Sequence, residues 1–147
     1  TAGGGTVDPA TPVLTDASGI AAATSWTLGN SAGSNSLTAT AVGLAGSPVS
    51  FSATGTSDAA TQIALQAGDG QTATVGTAVA IAPVVIVRDQ FNNPVAGVAV
   101  TFAVTAGAGT VDPATSVLTD ANGIAAATSW ALGDTAGANA LSAQQAA

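Results

Sequence analysis

The first 43 residues of this 147-residue chain are written a second time at its end. Thr6-Val7-Asp8-Pro9 returns as Thr110-Val111-Asp112-Pro113, an offset of 104 residues, and 30 of the 43 aligned positions are identical. The octapeptide Gly19 to Trp26 recurs unchanged at Gly123 to Trp130. A period near 104 residues is too long for one turn of a solenoid and matches one small domain, so the chain reads as a piece of a tandem array. Its length spans about 1.4 periods, which places the C-terminal half of one repeat at 1–57 and a nearly complete second repeat at 58–147. In the first copy Gly43 is followed by a strand-like run, Pro48 to Thr54, for which the second copy has no counterpart. The expectation is that residues 1–57 need strands from outside the fragment. Either the same long chain continues, or separate subunits complement one another, and both routes give a head-to-tail assembly of neighbouring repeats that grows as a filament.

The hydrophobic pattern has period two almost throughout. Val98, Val100, Phe102 and Val104 alternate with Ala99, Thr101, Ala103 and Thr105, the signature of a strand with one buried face. Val49, Phe51 and Ala53 alternate with Ser50, Ser52 and Thr54, and Ile63 and Leu65 with Gln62, Ala64 and Gln66. Ile124, Ala126, Thr128 and Trp130 share one phase, as do Ile20, Ala22, Thr24 and Trp26, which points both indoles inward. Val84 to Val87 is a continuous β-branched run suited to a central strand. No helical stripe with caps is present. Turns fall at Asn92-Asn93-Pro94, at Asp16 to Gly19 and at Asp120 to Gly123. About seven short strands per period, spaced near ten residues, predict an all-β antiparallel sandwich. In the first copy the expected strands lie at about 5–8, 12–16, 19–28, 34–42 and 48–55.

Composition removes most chemistry. There is no Cys, His, Lys, Glu, Met or Tyr, Arg88 is the single cation, and the formal charge of −7 comes from Asp alone. Thiol, imidazole and Schiff-base mechanisms, His/Cys zinc sites and disulfides are excluded. So are lysine–asparagine crosslinks. Phosphate neutralisation needs Lys and Arg, so nucleic acid and anionic membrane surfaces are poor partners. The longest apolar stretch, Ala78 to Val87, is about half of what a bilayer span requires and contains Pro83. No N-x-[ST] sequon occurs. The absence of Cys does not imply cytoplasm.

Individual side chains then yield bland readings. Asp16 and Asp120 sit in D-x-[SN]-G turns that superficially resemble part of a calcium loop, but that loop closes with a Glu this chain lacks. A turn carboxylate bonding its own backbone is the expectation, with a looser calcium site using Asp58 as the rival. Trp26 and Trp130 read as core and not as sugar-stacking platforms. Ser25 and Ser129 have no His or Lys to serve as base, and all eight Asp residues fall at turns or strand ends, where solvation explains them. Arg88 is expected to meet a turn carboxylate. No catalytic, cofactor-binding or metal residue is assigned, and no cofactor is expected.

The run Val87 to Phe102, VRDQFNNPVAGVAVTF, resembles the bacterial immunoglobulin-like group 1 domain of invasin- and intimin-type adhesins and long repetitive surface proteins. Thr119-Asp120, Gly123, Trp130, Leu132-Gly133, Gly137, Asn139 and Leu141 continue the resemblance, and Thr15-Asp16, Gly19, Trp26, Leu28-Gly29, Gly33, Asn35 and Leu37 repeat it. The resemblance implies an Ig-like sandwich in an extracellular or cell-surface array of a prokaryote, with receptor binding in other domains. The function expected is a structural stalk or filament module, not an enzyme. The alternatives are a weak multivalent glycan- or protein-binding module, or an inert accessory domain of a larger secreted enzyme.

Overall fold

The computed structural model describes residues 1–146. The described residues are all strand and turn, with no helix. The chain divides into two compact units, Thr1–Ser57 and Asp58–Ala147.

The second unit is a sandwich. One sheet has the order β10-β6-β5, formed by β5 (Ala60–Ala67), β6 (Val84–Asp89) and β10 (Ile124–Ala126). The other has the order β12-β7-β9, formed by β7 (Ala99–Ala106), β9 (Val117–Leu118) and β12 (Ala140–Gln145). All pairings are antiparallel. The β-branched run is the central strand β6, as its sequence predicts, and its side chains alternate between buried and half-buried. Val85 and Val87 from β6 meet Val100 and Phe102 from β7, with Ala125 and Ala127 closing the cluster. The alternation of Val98, Val100, Phe102 and Val104 thus marks the inner face of β7, with Val100 and Phe102 buried. A two-stranded ribbon, β8 (Thr110–Asp112) with β11 (Ser129–Ala131), lies beside the sheets.

The segment entering β11 departs from its expected phase. Ala125 and Ala127 point inward, whereas Ala126 and Thr128 are exposed. The cause is a change of partner. Ile124 to Ala126 pair with β6, Ala127 N–H donates to Pro83 O at 2.9 Å, and Thr128 N–H donates to Asp112 O at 2.6 Å as the chain crosses to β8. Gly123 sets the inward phase, because a Cβ there would run into Val87 O.

The first unit holds two ribbons. β1 (Thr6–Asp8) pairs with β2 (Ser25–Thr27), and β3 (Gly33–Ala39) pairs with β4 (Val49–Gly55). The strands expected at 12–16 and 19–24 are absent there. In the second unit their counterparts, β9 and β10, pair with β7 and β6, and the first unit contains no equivalent of either. Its large apolar side chains are accordingly exposed, Leu14 to 91% and Val42 to 96%. Only Asn35 is buried among the residues of this unit.

Candidate functional site

The most highly organised polar group is Asp89, at the end of β6. Its residue is fully buried. Oδ1 accepts from Phe91 N–H at 2.8 Å and Asn93 N–H at 2.9 Å, while Oδ2 accepts from Asp58 N–H and the Asn93 amide, both at 2.9 Å. Burial by itself would raise the pKa of this carboxyl. The bonds from the Asn93 side chain and from the Asp58, Asn93 and Phe91 N–H groups outweigh it and hold the pKa at about 2, below the ordinary 3.8. Asn92, at φ 72°, makes the left-handed step that Asn tolerates well and so closes the turn. Asp89 is therefore not one of the solvated turn carboxylates expected from sequence. It ties the start of the unit, at Asp58, to the turn that leads toward β7. A D-x-x-N spacing next to Pro was the available signal. Thr119 is a second buried tie that sequence reasoning missed. Its hydroxyl donates to Val95 O at 2.7 Å and accepts from Val98 N–H at 2.9 Å.

The two acidic hairpin turns are alike. Asp16 Oδ1 accepts from Ser18 N–H at 2.8 Å and Ile20 N–H at 3.0 Å. Asp120 Oδ1 accepts from Asn122 N–H at 2.8 Å and Ile124 N–H at 2.9 Å. The Ile124 and Asn122 N–H groups hold the Asp120 carboxyl below its usual range. Both carboxylates thus serve their own backbone, as turn chemistry dictates. Asp58 caps Ala59 N–H at 2.8 Å and accepts from Gln90 Nε2 at 2.9 Å. Among the described residues no three acidic side chains gather as a metal ion would require.

Trp26 faces Val7 across β1–β2, and Trp130 faces Val111 across β8–β11, in the same register. Both are half-buried, and Trp130 is outside the core cluster. The expected core role is corrected by the sheet crossing after Ala127, which carries the indole onto the ribbon. Each indole N–H is shielded and has no hydrogen-bond partner among the described residues. Ser25 lies opposite Asp8 and Ser129 opposite Asp112, with no base in the chain to activate either hydroxyl. Arg88 forms no ion pair among the described residues. Its backbone pairs with Gln62 on one side and bridges to Pro94 on the other.

Asn35 and Asn139 form one clasp used twice. Asn35 Oδ1 accepts from Gly29 N–H at 3.2 Å, and its Nδ2 donates to Gly33 O at 3.2 Å. Asn139 Oδ1 accepts from Gly133 N–H, and its Nδ2 donates to Gly137 O, each also at 3.2 Å. Gly29 packs on the Gly3 carbonyl and Gly133 on the Gly107 carbonyl, so tightly that neither position has room for a Cβ. The repeated Asn and Gly letters are thus explained by one local structure.

The surfaces left for interaction are strand edges. β12 and β5 each stand at the edge of a sheet. β5 exposes Ile63 and Leu65, the latter to 60%. A shallow cleft of about 120 Å³ opens between them, lined by Ala60 to Ile63, Val87, Val98 and Gln145.

No curated protein and no solved structure matches the chain. Residues 62–145, which contain both sheets and the Asp89 turn, match the family model of the bacterial Ig-like domain (group 1), and the chain belongs to that family.

Proposed function

We propose that this chain is a structural module of an extracellular prokaryotic surface protein, a spacer made of repeated Ig-like units joined head to tail. On this reading it catalyses nothing, binds no cofactor, and serves to hold other domains away from a cell. The observation that carries it is what the two copies share. The identical letters include the Asp16 and Asp120 turns, the Asn35 and Asn139 clasps, and the glycines beneath them, while the differences fall mostly on exposed residues such as Pro12 and Ser116, or Asn30 and Asp134. Repetition of a scaffold with a varied surface suits reach and not a shared ligand site. Asp supplies all the negative charge, so like units repel at low salt.

The test is length. Chains carrying one, two, three and four copies of the 104-residue unit are expected to show a maximum dimension, by small-angle X-ray scattering, that rises by a constant step per unit. Antibody raised against the chain is expected to label intact source cells. Compaction, with dimension growing only as the cube root of unit number, or labelling that requires permeabilised cells, would overturn the reading.

A further inference from the structure

We propose that the outer edge of β12 is an acceptor for one further antiparallel strand of the sequence Val49–Gly55, donated in cis, in a register that sets Leu141 opposite Phe51 and Ala143 opposite Val49. The inference rests on the spacer reading only in assuming that units repeat. It goes further by naming the surface that joins to the next segment, the sequence that fills it and the pairing.

The chain contains its own comparison. β3 and β12 are counterparts at the 104-residue offset and begin with the same clasp. β3 carries β4 on one edge, with Asn35 opposite Ala53, Leu37 opposite Phe51 and Ala39 opposite Val49. With β4 in place, Asn35 is 1% exposed, and Gly55 lies so close that a Cβ there would meet Asn35 Nδ2 at 3.5 Å. Asn139 makes the same bonds but is only half-buried, because nothing occupies the equivalent edge. An edge strand with free N–H and C=O groups is a template for strand addition.

The register supplies an independent check. Residues directly opposite in an antiparallel pair lie on the same face. Leu141 and Ala143 are the β12 residues packed against the core. The transferred register sets Phe51 and Val49, not the intervening Ser50 and Ser52, opposite them. A shift of one residue would have turned the serines inward. The site is also shaped for such a strand. β5 and the end of β12 line the open cleft, and Ile63 and Leu65 are uncovered beside it. In the first unit the side chains of Val49 and Phe51 are about half exposed, at 52% and 50%, so the apolar face of this sequence has little to pack on there.

The test extends the chain after residue 147 with a second copy of residues 44–57, the sequence that follows the counterpart position Gly43. Hydrogen exchange of β12 is compared with that of the unextended chain. A second extension carries Val49→Ser and Phe51→Ser in the added copy. The expected result is slowing of every second amide of Leu141 to Gln145, those pointing away from β7, by about tenfold or more, with the serine version losing most of the effect. Unchanged exchange in the first extension would overturn the proposal. Equal slowing by both extensions would also overturn it, since the register would then be irrelevant. Slowing that grows with protein concentration would replace the cis strand by one from a second molecule and overturn the cis assignment. None of these outcomes alters the scattering lengths that test the spacer reading, so the two fail separately.

Discussion

Replacing Phe102 by Ala removes the largest side chain of the sandwich core. Phe102 is 2% exposed and packs among Val85, Val87, Val100, Ala125 and Ala127. A buried aromatic withdraws roughly 150–250 Å² from water, which at about 25 cal/mol per Å² corresponds to about 4–6 kcal/mol. Compactness of the unfolded chain lowers that figure. Measured truncations of this kind cost about 3–5 kcal/mol, and that is the expected loss here. Against a total of roughly 4–13 kcal/mol for about 90 residues, the change takes much of the stability of the second unit. The neighbours that line the gap are small or β-branched and tied into two sheets, so they have little freedom to collapse into it. The assay is urea unfolding followed by Trp130 fluorescence in a Trp26→Phe background, which reports the second unit alone. Phe91→Ala is the internal control, because Phe91 is exposed to 46% and only its backbone N–H serves the Asp89 turn. Its expected cost is below about 1 kcal/mol. A loss under about 1.5 kcal/mol for Phe102→Ala, or an equal loss for Phe91→Ala, would refute the location of the core.

Asp89→Asn is expected to destabilise the second unit at neutral pH, because an amide in place of the carboxylate leaves two of its four buried donors without an acceptor. The folded carboxyl titrates at about 2 against an ordinary 3.8, so its stabilisation is complete above the higher value and is lost as pH falls toward the lower one. The Asn variant should therefore show a shallower fall in denaturation midpoint between about pH 4 and pH 2, and parallel curves would refute the assignment. Gly133→Ala is expected to cost about 1–3 kcal/mol or more, because its Cβ would meet the Gly107 carbonyl; a neutral effect on the melting temperature would show that the loop gives way.

Much of the architecture was legible because β-branched residues and turn letters leave few alternatives. Val84 to Val87 announced the central strand, and the alternation around Val100 and Phe102 announced the inner face of β7. The phase of residues 124–130 was misread for a physical reason. Ala occupies both faces of that segment, so its pattern carries no contrast, and the inward phase is fixed by the close approach of Gly123 to Val87 O. The Trp assignment failed with it. Asp89 was hidden because a buried carboxylate and a solvated one share a letter, and only the donors brought around it by Asp58 and Asn93 tell them apart. The missing strands at 12–16 and 19–24 reflect a general point: a strand pattern states a preference, and pairing requires a partner within the same unit.

The placement of Arg88 has a consequence for proteolysis. An enzyme that cuts after basic residues finds one bond in the whole chain, Arg88–Asp89. That bond lies in the central strand, paired to Gln62 on one side and bridged to Pro94 on the other, and it ends at the buried carboxylate. To enter a protease cleft the strand must leave both neighbours, which dismantles the core built on Val85 and Val87. Trypsin thus reads the opening of the second unit and nothing else. A surface exposed to secreted proteases would keep its one cleavable bond where only an unfolded molecule presents it.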